Sequence, residues 1–143
     1  MIKTQLAAAS IVGKVLTGAS LTEVLANRWR ADPALSKQQK GAIQDFSYGV
    51  LRFYGQLEAI LNALLTKPLH DKCLTRLLLV SLYQLLYSKT QPHVIVDQAV
   101  SASRLLAGGK GMQGLVNAVL RNFIRQRESL VEQAAAGDTG RYS

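Results

Sequence analysis

The chain has 143 residues, 48% of them hydrophobic, and its 17 basic and 9 acidic residues give a formal charge of +8. This composition is typical of one globular domain and excludes an intrinsically disordered chain. The single cysteine, Cys73, excludes an internal disulfide and a zinc knuckle of paired cysteines. The positive charge favours a polyanionic partner, nucleic acid first and an anionic membrane surface second, although a basic domain without such a partner has the same composition.

No segment predicts targeting or membrane insertion. The first 25 residues include Lys3, Lys14 and Glu23 and lack a basic start followed by a long uncharged apolar run. The longest uncharged apolar stretch, Leu77–Tyr87, is far short of the roughly 20 residues that span a bilayer. We therefore expect a cytoplasmic protein with no membrane partner.

The first two predicted helices are short and clearly delimited. Apolar residues recur at helical spacing over residues 6–16, and Gly18 is a suitable stop. Ser20–Glu23 has the pattern of a capping box, which predicts the start of a second helix. Asp32-Pro33 ends that helix, because the residue before a proline disfavours helical geometry.

The third predicted helix is the longest. A second capping-box pattern, Ser36–Gln39, precedes an apolar series at helical spacing from Ile43 to Leu64. Gly49 and Gly55 lie within this series and permit a bend or the close approach of a neighbouring helix.

Three further helices complete an all-α bundle. The fourth, from Asp71, is apolar almost all round, which predicts a buried central helix. The fifth starts at Gln91-Pro92, and the glycine-rich residues 108–114 separate it from a sixth over residues 116–127. The composition turns small and polar from Gln133, which predicts a domain over residues 1–132 and a linker or frayed tail over residues 133–143.

No catalytic or metal site is predicted. Cys73 lies three residues from His70, but a semi-buried structural cysteine beside a loop histidine accounts for the pair better than a nucleophile does. The loop over residues 108–114 follows no strand and lacks the Gly-Lys-Ser/Thr ending of nucleotide-binding loops, so we interpret it as a connector. The acidic residues are scattered, and two histidines without suitably spaced acids make no metal site.

Two arginines of the sixth helix are candidates for binding an anion. Arg121 and Arg125 are four residues apart and share a face that differs from the apolar one. The alternative is a solvated surface with weak ion pairs, such as one between Arg125 and Glu128.

The order of several motifs resembles a known family. These motifs are DFSYGVLRFYGQLEAIL at residues 45–61, LLLVSLYQLLY and QPHVIVDQAVSASRLL within residues 77–106, and GLVNAVLRNF at residues 114–123. Together they make the chain similar to the NusB-like RNA-binding domain. Within that group it most resembles the N-terminal domain of the Sun/Fmu/RsmB family of 16S ribosomal RNA cytosine-C5 methyltransferases.

The resemblance implies a NusB-like bundle of six to seven helices in two packed three-helix units. It also implies that the linker leads to a methyltransferase domain absent from this chain, which carries the S-adenosylmethionine site and the catalytic cysteine. Cys73 does not match that cysteine, so no cofactor is expected here. The expected partners are ribosomal RNA and the chain's own C-terminal methyltransferase domain.

The resemblance further implies an RNA-binding surface around the N-terminus, the loop before the sixth helix and the exposed side of that helix. The residues expected there are Lys3, Lys110, Asn117, Arg121 and Arg125.

Three questions remain open from the sequence. Arg52 is expected to contact RNA, the methyltransferase domain or a helix C-terminus, and Asn117 is equally suited to a buried structural role. The alternatives for the whole chain are a stand-alone NusB-type transcription antitermination factor and a purely structural domain that packs on the catalytic domain. The first is disfavoured by a start that offers only Lys3 in place of an arginine-rich first helix.

Overall fold

The protein is an all-α bundle, as predicted. The computed structural model describes the backbone of residues 2–142 and the side chains of residues 2–136, and no strand occurs in this part of the chain. A 3₁₀ turn, Ala107–Gly109, precedes the last helix. The seven α-helices of the described residues are α1 Ile2–Leu16, α2 Leu21–Ala31, α3 Lys37–Arg52, α4 Tyr54–Leu64, α5 Lys72–Tyr87, α6 Pro92–Ser103 and α7 Gln113–Tyr142.

The capping patterns begin their helices where predicted. The Ser36 hydroxyl accepts from the Gln39 amide at 3.0 Å, and the Gln39 side chain accepts from the Ser36 amide at 2.8 Å, which completes a capping box. At α2 the Ser20 hydroxyl accepts from the Glu23 amide at 3.5 Å. These bonds satisfy amide groups that have no partner inside the helix.

The prediction of one helix from Ile43 to Leu64 is wrong, because the chain breaks at Phe53 (φ −103°, ψ 22°) into α3 and α4. The Phe53 ring stacks on Tyr87 of α5, with ring centroids 4.5 Å apart. Gly49 lies against Tyr83 of α5, where an added Cβ would fall 2.1 Å from the ring. The turn at Phe53 thus lets both α3 and α4 pack on α5. The break was not predicted because it depends on these contacts, which join residues that are distant in sequence.

Helix α5 is the buried central helix that its composition predicts. Ten of its residues are buried, and it packs against α1, α3, α4, α6 and α7. A smaller apolar core is shared by α1, α2, α3 and Leu35, while the larger core holds α4–α7 together with residues of α1 and α3. The first unit is therefore a three-helix unit, and the break at Phe53 gives the second unit a fourth helix.

The last helix continues beyond the predicted domain end. Its backbone is helical to Tyr142 with a kink at Gln126 (φ −111°, ψ 18°), and Leu130 and Ala134 after the kink are buried in the larger core. The backbone is thus helical over residues 133–142, where the composition predicts a linker or frayed tail. The side chains of residues 137–143 lie outside the described part, and the division into domain and linker stays a prediction.

None of the helices in the described residues is both long enough and apolar enough to cross a membrane.

Candidate nucleic-acid interface

Helix α7 presents a stripe of polar and cationic side chains on its exposed side. Asn117, Arg121 and Arg125 follow one another at intervals of four residues, and both arginines are exposed. The Arg121 Nε donates to the Asn117 Oδ1 at 2.9 Å, and the Arg125 guanidinium donates to the Asn122 Oδ1. We call Asn117, Arg121 and Arg125 the α7 stripe.

The two arginines of the α7 stripe have no acidic counter-ion among the described residues. Neither forms an ion pair with a described carboxylate, and the pairing of Arg125 with Glu128 that the sequence allows is not formed. Asn117 is half-buried, and its amide oxygen accepts from Arg121, so it orients the guanidinium. Oriented arginines without a counter-ion suit the oxygens of a phosphate.

Lys110 lies in the loop that leads into α7, and its side chain is exposed. The glycines of this loop permit close packing: a Cβ on Gly108 would fall 1.7 Å from the Asp71 Oδ2, and one on Gly109 would fall 1.9 Å from the Ser103 carbonyl oxygen. Asp71 is the N-cap of α5, and its Oδ1 accepts from the Leu74 amide at 2.8 Å. The loop is therefore held against the first turn of α5, and Lys110 directly follows the two packed glycines.

Lys3 differs from the other candidates because its charge is compensated. Its Nζ lies 2.8 Å from the Oδ2 of Asp32, the C-cap of α2. The pair joins the first turn of α1 to the end of α2. A phosphate would have to compete with Asp32 for this lysine.

Arg52 belongs to a different helix from the α7 stripe and lies in the last turn of α3. Its guanidinium carbon is 5.3 Å from the centroid of the Phe53 ring, a cation–π contact. The neighbouring Tyr83 hydroxyl donates to the Asp45 Oδ1 at 3.1 Å. Burial, followed by the Asp45 charge and hydrogen bond, raises the pKa of Tyr83 to about 12, so the hydroxyl stays protonated at neutral pH.

Cys73 is exposed, so the expectation of a semi-buried cysteine is wrong. It occupies the first turn of α5, and the side chain of His70 is also exposed. The described residues contain no group of three or more His, Cys, Asp or Glu side chains that could hold a metal ion.

Two arginines contribute to the structure in ways that the sequence did not reveal. Arg127 donates to the carbonyl oxygens of Leu85 and Leu86 at 3.0 and 3.1 Å, at the end of α5. Arg76 of α5 lies across α1 at Gly13, where an added Cβ would fall 2.6 Å from its Nη1. The one local signal for Arg76 is the glycine in the interior of α1, since such a glycine often marks a close approach.

The described residues thus form an all-α bundle whose last helix exposes cationic side chains, the arrangement of a candidate anion-binding surface. Comparison with known protein families matches residues 2–125 to the NusB family, so the chain belongs to that family.

The relatives of the chain are longer proteins. It is 37% identical to ribosomal RNA small subunit methyltransferase B of Vibrio cholerae, in a match that covers 99% of this chain and 32% of the relative. It is 36% identical to the protein of the same name from Serratia proteamaculans, over 92% of this chain and 30% of the relative. The chain therefore spans about a third of the length of these relatives.

Proposed function

We propose that this NusB-family domain is the RNA-docking domain of a 16S ribosomal RNA cytosine-C5 methyltransferase and has no catalytic activity of its own. Methyl transfer from S-adenosylmethionine would take place in a methyltransferase domain, the second expected partner. The similarity to small subunit methyltransferases supports the assignment to ribosomal RNA. The observation that carries the RNA-binding role is the α7 stripe, whose arginines have no acidic partner among the described residues.

Phosphate contacts predict a weak, salt-dependent affinity. Lys110, Arg121, Arg125 and Lys3 would supply about four contacts, which for single-stranded RNA gives a slope of log affinity against log salt of about −2.8. Affinity would then fall roughly fiftyfold between 50 and 200 mM salt. Such a domain suits an enzyme in which a second RNA-binding domain adds avidity.

The proposal is tested by titrating the chain against fluorescent hairpins of small-subunit ribosomal RNA and measuring anisotropy. The double variant Lys110→Glu/Arg121→Glu is expected to bind more than tenfold more weakly than the wild type. Lys37→Glu/Lys89→Glu is the matched control, because it changes the charge equally at two exposed lysines that belong neither to α7 nor to the loop before it. No wild-type binding at 20 mM salt would contradict the RNA-docking role, and equal losses in both variants would contradict the chosen surface.

A purely structural role on the methyltransferase domain is the second candidate. It is favoured by Tyr48 and Tyr87, which are 56% and 45% exposed. Tyr87 stacks on Phe53, and Arg52 lies over the same Phe53 ring. If this surface packs on the methyltransferase domain, Arg52→Ala will leave RNA binding by the isolated chain unchanged and weaken its association with that domain added in trans.

A further inference from the structure

A groove runs between α1 and α5 on the surface that the loop before α7 borders. One cavity of about 470 Å³ is lined by Lys14 of α1, by Cys73 and Arg76 of α5, and by Leu106 at the loop. A second cavity of about 540 Å³ shares Arg76 and is lined also by Lys72. We call these two cavities, which adjoin at Arg76, the α1–α5 groove; the volume of each is in the range of ligand-binding pockets.

Arg76 is the central cation of the α1–α5 groove. Its side chain is half-buried and lies against Gly13, so that any other residue at position 13 would displace the guanidinium. It forms no hydrogen bond or ion pair with a described residue. A guanidinium that is partly removed from water and has no counter-ion gains from an anionic ligand, because the cost of its desolvation is otherwise uncompensated.

The other charges of the groove have the same sign. Lys14 and Lys72 are exposed on its rim. No Asp or Glu is among the lining residues given for the two cavities. Two acids on neighbouring elements accept hydrogen bonds: Asp71 accepts from the Leu74 amide, and Glu58 accepts from the Tyr54 hydroxyl at 3.1 Å.

The position of the groove connects it to the predicted RNA surface. The packing of Gly108 on Asp71 holds the loop before α7 beside the first turn of α5, and Lys110 follows two residues later. A single strand of RNA that contacts Lys110 beside α7 would thus also reach the opening of the α1–α5 groove.

We propose that the α1–α5 groove binds a single strand of RNA. Its phosphates would lie on Lys14, Lys72 and Arg76, and its sugar or base atoms on an apolar floor lined by Leu6, Ala9 and Leu106. This inference rests on the proposed RNA-docking function and extends its surface from α7 to α1 and α5. An acidic peptide would match the charge, but the apolar floor beside spaced cations is better suited to a nucleotide strand, in which charged and apolar groups alternate.

The single cysteine provides a direct test, since Cys73 lines the groove and is exposed. We would measure the rate at which the uncharged reagent iodoacetamide alkylates Cys73, with and without a saturating single-stranded segment of small-subunit ribosomal RNA, at 20 mM salt. Saturation is established separately by anisotropy, and glutathione alkylated in the same RNA solution controls for reagent depletion. RNA in the groove is expected to slow alkylation at least fivefold, and 500 mM salt is expected to restore the rate.

Charge variants give an independent result. Lys14→Glu/Lys72→Glu changes two exposed rim residues and is expected to reduce the salt slope by about 1.4, the value for two phosphate contacts with single-stranded RNA. The control Lys37→Glu/Lys89→Glu is expected to change the slope much less.

The outcomes separate the inference from the proposed function. Saturating RNA that leaves the alkylation rate unchanged would overturn the groove and leave the docking function intact. No RNA binding by anisotropy would overturn both. Protection of Cys73 by a poly-glutamate peptide but not by RNA would assign the groove to an acidic protein and overturn the inference.

Discussion

The contact between Arg127 and the end of α5 predicts a measurable loss of stability when it is removed. The carbonyl oxygens of Leu85 and Leu86 belong to the last turn of α5 and have no donor inside that helix. Arg127 supplies two donors, at 3.0 and 3.1 Å, immediately after the kink of α7 at Gln126. The side chain therefore caps α5 and fixes the direction of the second part of α7.

The size of the effect follows from these two bonds. A hydrogen bond to a charged group contributes about 1.5–3 kcal/mol when shielded from water. The bond to Leu85 is partly shielded from water, so we assign its contribution to the lower limit of this range. The bond to Leu86 is exposed, so we assign it a much smaller contribution. With the charge at the C-terminal end of the helix dipole, Arg127→Met should reduce the free energy of unfolding by about 2 kcal/mol. For a domain of this size the loss corresponds to roughly 6–8 °C in Tm.

Thermal and urea unfolding followed by circular dichroism would measure this loss. The matched control is Arg125→Met, which removes the same charge from α7. Among the described side chains Arg125 bonds only to Asn122, so we expect a change within about 0.5 kcal/mol. Arg127→Lys should recover part of the loss, since lysine keeps the charge but not the two-pronged geometry. If Arg127→Met and Arg125→Met unfold at the same temperature, the capping role is refuted.

Two further predictions concern the packing of α3 on α5. Gly49→Ala would place a Cβ 2.1 Å from the Tyr83 ring and should destabilise the fold by about 1–3 kcal/mol. In the same helix, the Cβ added by Gly41→Ala meets no atom within 4 Å, so this variant should stabilise the fold by about 0.5–1 kcal/mol. Chemical denaturation of both variants is the measurement, and a shift of the same sign in both would contradict the packing. Because the pKa of Tyr83 is raised from 10.0 to about 12, its contribution to stability is complete below pH 10 and is lost as the pH rises toward 12. Ultraviolet titration should show late ionisation of Tyr83, in addition to Tyr54, whose pKa is also raised by burial and by Glu58. The pKa of Tyr83 should fall in Asp45→Asn but stay above 10, since burial is the larger cause. A Tyr83 pKa that is the same in both proteins would show that Asp45 has no influence.

The positions of the candidate site residues could be predicted only in part from the sequence. The spacing of Asn117, Arg121 and Arg125 placed them on one side of a helix, and the structure has them there because side chains four residues apart always share a helical face. The ion pair between Lys3 and Asp32 could not be predicted from the sequence, because it joins the first turn of α1 to the end of α2. Whether these residues bind RNA stays a prediction.

The sequence by itself determined the helical class, the buried central helix and the starts at Ser20 and Ser36. These features depend on periodicity and capping, which act over three or four residues. Only the tertiary structure decided the break at Phe53 and the extended course of α7. It also decided the position of Arg76 across Gly13 and the cap that Arg127 provides for α5. Each of these arises where helices distant in sequence meet, and the geometry of such a meeting is set by the packing of the whole bundle rather than by any one segment.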